Sequence, residues 1–179
     1  MTPKRLRWAM VLLAVGVVGC DHATKYAAES RLEDAGPVAV VPGVLDLRYV
    51  ENRDTAFSLF RLLGLPSPPA LLAGLQLAGL TALGVFAWRR RRIARPLEQA
   101  AWALTAAGAL GNLLDRVIRG YVVDFIHLHN WPVFNVADAA LVAGVGLLIL
   151  TFGVFDRPTA GAAAGTGPDG PPPEPPPTA

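Results

Sequence analysis

Four long apolar runs, separated by polar stretches, predict four membrane-spanning helices. The runs are Arg7–Ala27, Pro69–Trp88, Leu97–Val117 and Phe134–Phe155. Each approaches the roughly 20 mostly apolar residues that a helix needs to cross the hydrocarbon core of a bilayer. The composition favours the same class, because 53% of the 179 residues are hydrophobic and the mean hydropathy is +0.40. A soluble domain of this length is ordinarily more polar.

Two segments between these runs have the pattern of strands and turns. Val38–Phe60 is rich in Val, Leu, Tyr and Phe and is interrupted by Pro and Gly, and Gly120–Phe134 is also strand-like. Short β-rich stretches bounded by turn residues indicate strands. We therefore predict a mainly α membrane protein, a four-transmembrane-helix bundle with a small extracytoplasmic β-sheet platform.

Basic residues predict the orientation of the bundle. They cluster before the first run and in the link between the second and third runs. Because Lys and Arg are enriched in cytoplasmic loops, both termini are expected to be cytoplasmic and the segments at about 28–68 and 118–133 to lie outside. The two clusters are Lys4, Arg5 and Arg7, then Arg89–Arg92 and Arg95.

The last part of the chain differs in composition from the rest. Residues 157–179 are rich in Pro, Gly and Ala, and such a segment lacks the apolar residues that a core requires. We predict a membrane domain at 1–156 followed by a disordered cytoplasmic tail. The single cysteine excludes an internal disulfide framework, and we expect no metal, cofactor or nucleic-acid partner.

Polar residues inside the apolar runs lie near the predicted outer ends of three helices. Lys25 is four residues after Asp21, Asp115 and Arg116 are three and four after Asn112, and Asp138 is three after Asn135, so each of these groups shares one helix face. Ionisable groups at membrane depth are costly and normally face the bundle interior, where they mark a functional site. The three sets are Asp21, Thr24 and Lys25 in the first run, Asn112, Asp115 and Arg116 in the third, and Asn135 and Asp138 in the fourth.

The members of these sets differ in how strongly they indicate a functional site. Lys25 or Arg116 taken alone is typical of a long side chain that reaches the membrane interface. Asp138 lies about one turn inside its helix, before a long apolar run, and needs a partner. Asp124, flanked by apolar residues just upstream, is the available second carboxylate. Two adjacent carboxylates share a proton, and such a pair can activate water and protonate a leaving amine.

Four sequence blocks resemble the lipoprotein signal peptidases (signal peptidase II), which are bacterial inner-membrane aspartic proteases with four spans. They occur in the order and at the spacing of that family, and together they span nearly the whole chain apart from the tail. The blocks are "DHATK" (Asp21–Lys25), "ENRDTAFSLF" (Glu51–Phe60), "GNLLDRVIRGYVVDFIHL" (Gly111–Leu128) and "FNVADAAL" (Phe134–Leu141).

The resemblance implies a function and a set of site residues. The substrate would be a prolipoprotein carrying diacylglyceryl on its lipobox cysteine, cleaved just before that cysteine by a monomeric enzyme among membrane lipids. Asp124 and Asp138 would be the catalytic dyad. Supporting residues would shape the site and bind substrate: Asp21, Lys25, Asn52, Asn112, Asp115, Arg116 and Asn135.

The second block departs from the family pattern at one position. The family usually has Asn-x-Gly-x-Ala-Phe, and here Asp54 stands in place of the glycine. Aspartate tolerates a positive φ better than most residues, so we expect the turn to be retained.

Other functions were weighed against this one. Val17–Cys20 resembles a lipobox after a basic n-region and an apolar h-region, as in a lipoprotein precursor, but three further spans do not suit one. A metalloprotease is a second alternative, because His127 and His129 would share one face of a strand. Zinc sites, however, generally need a third protein ligand. A Ser/Thr–Lys hydrolase is a third alternative, but Thr24 and Lys25 are sequence neighbours whose side chains point in different directions on a helix. A transporter is expected to place its charges at the midplane.

Overall fold

The computed structural model describes residues 2–54, 68–91 and 93–155, and this part of the chain contains four helices and three strands. The predicted tail at 157–179 and the predicted strand residues 55–60 lie outside the described residues. The elements in chain order are α1 (Pro3–Leu32), β1 (Val38–Val41), β2 (Leu45–Asn52), α2 (Pro69–Arg90), α3 (Pro96–Ile118), β3 (Val122–Leu128) and α4 (Val136–Phe155).

Each predicted span coincides with one helix, within a few residues at either end. α1 and α2 are long and apolar enough to cross a membrane, over Lys4–Leu32 and Pro69–Arg90, whereas the apolar part of α4, Val136–Phe152, is shorter. Proline occupies the first turn of α1, α2 and α3, where its missing N–H has no intrahelical acceptor to lose.

α1 is longer than its predicted span. Its 30 residues correspond to a length of about 45 Å, which exceeds the hydrocarbon thickness of a bilayer. The additional turns carry Ala28 and Leu32, which are buried against Phe125 of β3. The C-terminal end of α1 therefore serves as the support on which the sheet rests.

The structure contains the small sheet that the sequence pattern predicted. It is antiparallel, with the strand order β1-β2-β3. Val50 of β2 lies opposite Asp124, and Asn52 lies opposite Val122. Because side chains on the same face recur every second residue, Asn52 and Asp124 project from the same side of the sheet. This register brings the end of β2 to the second carboxylate.

α3 is the central helix, packed against α1, α2 and α4. Its contact with α4 is close because glycines face the partner helix. A Cβ at Gly108 would lie 2.8 Å from the backbone nitrogen of Leu141, and a Cβ at Gly144 would lie 2.6 Å from that of Thr105. Only glycine permits this approach without moving a backbone.

Two short connections bring β3 and α4 to the end of α3. Gly120 follows α3 with φ of 82° and donates its N–H to the carbonyl of Arg116 at 3.2 Å, a left-handed helix ending that favours glycine. After β3 the chain reverses, and Phe134 and Ile126 exchange backbone hydrogen bonds of 2.8 and 3.0 Å. The residue that follows Phe134 is thereby held beside β3.

Candidate active site

α4 begins with a capping box formed by the two polar residues of the fourth run. The Asn135 side-chain oxygen accepts the Asp138 N–H at 2.9 Å. In return, Asp138 Oδ2 accepts the Asn135 N–H at 3.3 Å. This reciprocal pair satisfies two N–H groups that a helix start leaves free. It fixes the Asp138 carboxyl at the first turn of α4, where the helix dipole favours negative charge.

Asp124 lies on β3 and receives two amide donors. Asn135 Nδ2 donates to its Oδ1 at 2.7 Å, and Asn52 Nδ2 donates to its Oδ2 at 2.8 Å. Asp124 is only 2% exposed. Burial, followed by the charge of Asp138, raises the pKa of Asp124 to about 7, against the opposing effect of the two amide hydrogen bonds. A carboxyl with this pKa is partly protonated at neutral pH.

Asn112 connects the two carboxyls to the interior of the bundle. Its Nδ2 donates to Asp138 Oδ1 at 2.7 Å. Its Oδ1 accepts from Lys25 Nζ at 2.9 Å and from Asn135 Nδ2 at 3.1 Å. Asn112 thus donates to Asp138, and Asn135 donates to Asp124 and to Asn112. Of the two carboxyls, Asp138 is the one that is partly exposed.

Lys25 is fully buried and has every donor used. Its ammonium lies 2.8 Å from Asp21 Oδ2 and 2.8 Å from Asp115 Oδ2, in addition to its hydrogen bond with Asn112. Both partner carboxylates are 0–1% exposed. An ion group buried this completely is retained only when all its members are paired.

The two carboxylates that hold Lys25 also anchor the backbone around the site. Asp21 accepts the N–H of Ala137 in the first turn of α4 at 2.8 Å. Asp115 accepts the N–H of Val123, next to Asp124, at 3.3 Å. The charged core of α1 and α3 therefore fixes both backbone segments from which Asp124 and Asp138 project.

Arg116 lies on the other side of the site and holds the turn that follows β2. Its Nη2 donates to the carbonyl of Asp54 at 2.8 Å. The N–H of Asp54 donates to Asn52 Oδ1 at 3.0 Å, which forms an Asx turn. Among the described non-glycine residues only Asn130 has a positive φ. Asp54 therefore takes part in this turn without the positive φ that we considered from the sequence.

Gln76 of α2 is a member of this network that the sequence analysis missed. Its Oε1 accepts from Arg116 Nη1 at 3.0 Å, and its Nε2 donates to the carbonyl of Ala109 at 2.8 Å. The available signal was one amide within an otherwise apolar 22-residue helix. Gln76 also borders an apolar cleft of about 330 Å³ between α2, α3 and α4.

The structure brings all nine predicted site residues into one hydrogen-bonded assembly. Lys25 and Arg116, which taken alone are typical of interface side chains, belong to this assembly. Lys25 is fully buried, and Arg116 bonds to Gln76 on α2 and to the turn at Asp54. The Cys20 side chain is exposed on α1.

Thr24, His127 and His129, which the alternative functions would use, have other partners or positions. Thr24 bonds to carbonyls of its own helix. His127 lies 3.1 Å from Asp46, and His129 follows the end of β3. Within the described ranges no three His, Cys, Asp or Glu side chains form a group suited to a metal ion.

Comparisons with known proteins agree over most of the chain. The family described as Signal peptidase (SPase) II matches residues 13–154. The lipoprotein signal peptidase of Syntrophomonas wolfei is 43% identical over 149 residues, which is 83% of this chain and 93% of that protein. That of Chlorobium phaeovibrioides is 34% identical over 170 residues, covering 87% and 96%. A solved bacterial membrane enzyme has a TM-score of 0.72 and 32% identity over 83% of this chain and 94% of that one. With so much of its length matched, this chain belongs to the signal peptidase II family.

Proposed function

We propose that this protein is a membrane aspartic endopeptidase that removes the signal peptide from diacylglyceryl-modified prolipoproteins, just before the lipidated cysteine. Asp124 and Asp138 are the catalytic pair. Membership of the signal peptidase II family supports the reaction. The lipoprotein signal peptidases among its relatives support the substrate class.

One observation carries the assignment of the catalytic pair. A single residue, Asn135, donates its side-chain amide to Asp124 and its backbone N–H to Asp138. The charge of Asp138 also contributes to the raised pKa of Asp124. Two carboxyls held this way ionise as a pair and keep one proton between them near neutral pH. That is the protonation state that metal-free peptide hydrolysis requires.

The pair divides the chemistry between its two members. Asp124 is the more buried and holds the shared proton, which polarises the scissile carbonyl. Asp138, which keeps an accessible surface, is ionised and takes a proton from water while the water oxygen attacks the carbonyl carbon. The tetrahedral intermediate collapses as the C–N bond breaks, and the substrate cysteine nitrogen receives the proton that Asp138 took up.

Lys25, Asn112 and Asn135 support this reaction without reacting. Asn112 and Asn135 donate to the two carboxyls, and Lys25 fixes the orientation of Asn112. The single negative charge of the pair is therefore stabilised by fixed groups rather than by mobile water. Asp21 and Asp115 neutralise the buried ammonium and hold the backbone in place. Asn52 and Arg116 complete the outer edge of the site, toward the substrate.

The same proposal includes a membrane arrangement. All four helices cross the inner membrane, both termini are cytoplasmic, and the sheet lies over the site near the extracytoplasmic face. The basic link at 89–95 supports the orientation. The clustering of charged site residues at one end of α1 and α3 supports the position of the site. Residues 1–156 form the peptidase domain and 157–179 its cytoplasmic extension, and the enzyme acts as a monomer.

Cleavage of a lipidated substrate tests this function. The purified enzyme in detergent is given a diacylglyceryl-modified prolipoprotein and, in parallel, its unmodified precursor. We expect cleavage of the lipidated form alone, unaffected by EDTA, and no cleavage by Asp124→Asn or Asp138→Asn variants that elute like the wild type. The proposal is wrong if either variant retains wild-type turnover, or if folded wild-type enzyme leaves the lipidated form intact.

A further inference from the structure

We infer that Gln76 is a positioning residue of the catalytic site, which acts through Arg116 and the turn at Asp54 to hold Asn52 against Asp124. The inference rests on the proposed function, because it assigns Asp124 to the reaction. Gln76 belongs to none of the four sequence blocks that resemble the family.

The first step is the fixed orientation of the Gln76 amide. Its Nε2 is committed to the carbonyl of Ala109 on α3. Its Oε1 therefore faces Arg116, whose guanidinium has donors only. Gln76 also borders the apolar cleft, and one orientation of its amide satisfies both of these polar partners.

The second step is the placement of Arg116. Besides Gln76, its Nη1 reaches the carbonyl of Asn112 in its own helix, at the longer distance of 3.5 Å. Its Nη2 reaches Asp54 at 2.8 Å. The contact with Gln76 is thus the shorter of the two that hold Nη1. By holding Nη1, it also directs Nη2 toward the turn. Without Gln76, a long flexible side chain would be tied by one short hydrogen bond.

The third step runs from the turn to the catalytic carboxyl. The Asp54 carbonyl is held by Arg116, and the Asp54 N–H occupies the oxygen of the Asn52 amide. Only the Nδ2 end of Asn52 then remains to face Asp124. An unbroken sequence of hydrogen bonds therefore extends from a helix in the bundle to one oxygen of the pair.

Kinetics and pH dependence test this role with the full-length enzyme and the lipidated substrate. Gln76→Met removes both hydrogen bonds at similar volume. We expect kcat to fall about tenfold, because displacement of a catalytic group is costly even when small. The KM should stay within about twofold, as for a group that acts in the transition state.

The pH profile provides a readout that a merely structural role would not move. The Asn52 hydrogen bond lowers the pKa of Asp124, and Asp138 and Lys25 stay in place in the variant. Arg116, whose positive charge interacts with Asp124, is loosened together with Asn52, and both changes favour the protonated carboxyl. The alkaline limb of kcat/KM should therefore move to higher pH in Gln76→Met. Gln76→Glu keeps an acceptor for Arg116 and should restore most of the lost turnover.

Thr81→Val is the matched control on the same helix, because the Thr81 hydroxyl bonds to the carbonyl of Leu77 in its own helix. It should leave kcat, KM and the pH profile unchanged. Gln76→Met and Arg116→Lys should also combine non-additively in a double-mutant cycle, since they act on one path. Additive effects, or a Gln76→Met enzyme with wild-type kinetics, overturn the inference and leave the function intact. A wild-type enzyme that cleaves nothing overturns the proposed function instead.

Discussion

Lys25 Nζ lies 2.9 Å from Asn112 Oδ1, and this contact decides which way the Asn112 amide points. An ammonium has donors and no acceptor, so it binds only the oxygen of the amide. The amide nitrogen must then face Asp138, where it donates at 2.7 Å. A charge buried in α1 thereby determines that the carboxyl on α4 receives a hydrogen bond.

Asn112→Asp should abolish this arrangement while keeping the shape of the side chain. The new carboxylate still accepts from Lys25, but it presents an oxygen to Asp138 where a donor stood. We expect turnover to fall by about 100-fold, as when a fixed donor to a reacting group is removed. The measurement is kcat on the lipidated substrate. Turnover close to that of wild type would show that the donor is dispensable.

Lys25→Met should destabilise the protein strongly. The substitution leaves Asp21 and Asp115 buried without their shared partner, and an uncompensated buried charge costs about 3–5 kcal/mol. Unfolding of the variant in detergent measures the loss. Lys4→Met, the same substitution at an exposed position, should change stability by less than about 0.5 kcal/mol.

A triple variant separates charge from packing at Lys25. If Asp21→Asn and Asp115→Asn accompany Lys25→Met, no unpaired charge remains and much of the stability should return. If the triple variant is as unstable as Lys25→Met, the loss of stability comes from packing alone.

Helix positions and helix faces were predictable because each depends on residues close in sequence. The apolar runs define the helices, and polar residues three or four apart must share a face, as Asp21 and Lys25 do. The contact of Asn52 with Asp124 depends on the register between β2 and β3, which joins residues 72 positions apart. Residue spacing alone contains no information about that register.

Partners on other helices are a second limit of sequence reasoning. Taken alone, Lys25 and Arg116 are typical of basic side chains, which reach water because they lack partners. Here the partners are supplied by other helices. Gln76 gave almost no signal, because one uncharged amide in an apolar helix can bond to its own backbone or to a neighbour. Only its contacts with Arg116 and Ala109 distinguish these cases.

Gly144→Ala should loosen the packing of α3 against α4. The added Cβ would lie 2.6 Å from the backbone nitrogen of Thr105 and 2.8 Å from the carbonyl oxygen of Ala101, and neither atom can move without its helix. We expect a lower Tm and lower activity, since α4 carries Asp138. Gly146→Ala on the same helix meets nothing within 4 Å. It should keep activity and match or exceed wild-type stability, because alanine favours helices over glycine. Equal Tm values for the two variants would contradict the close approach at Gly144.

The stability of the protein should fall as the pH rises toward 7, and Asp124 should account for part of that fall. Its pKa is about 7 in the folded protein, against an ordinary value of 3.8 for an aspartate carboxyl. Between these values the native state binds more protons than the unfolded state, so the free energy of unfolding decreases with rising pH. Asp124→Asn cannot titrate there and should lose this dependence. We expect the Tm of wild type to drop more than that of Asp124→Asn between pH 5 and pH 8 in one detergent. Parallel Tm profiles would show that Asp124 is ionised throughout that range and does not hold the shared proton.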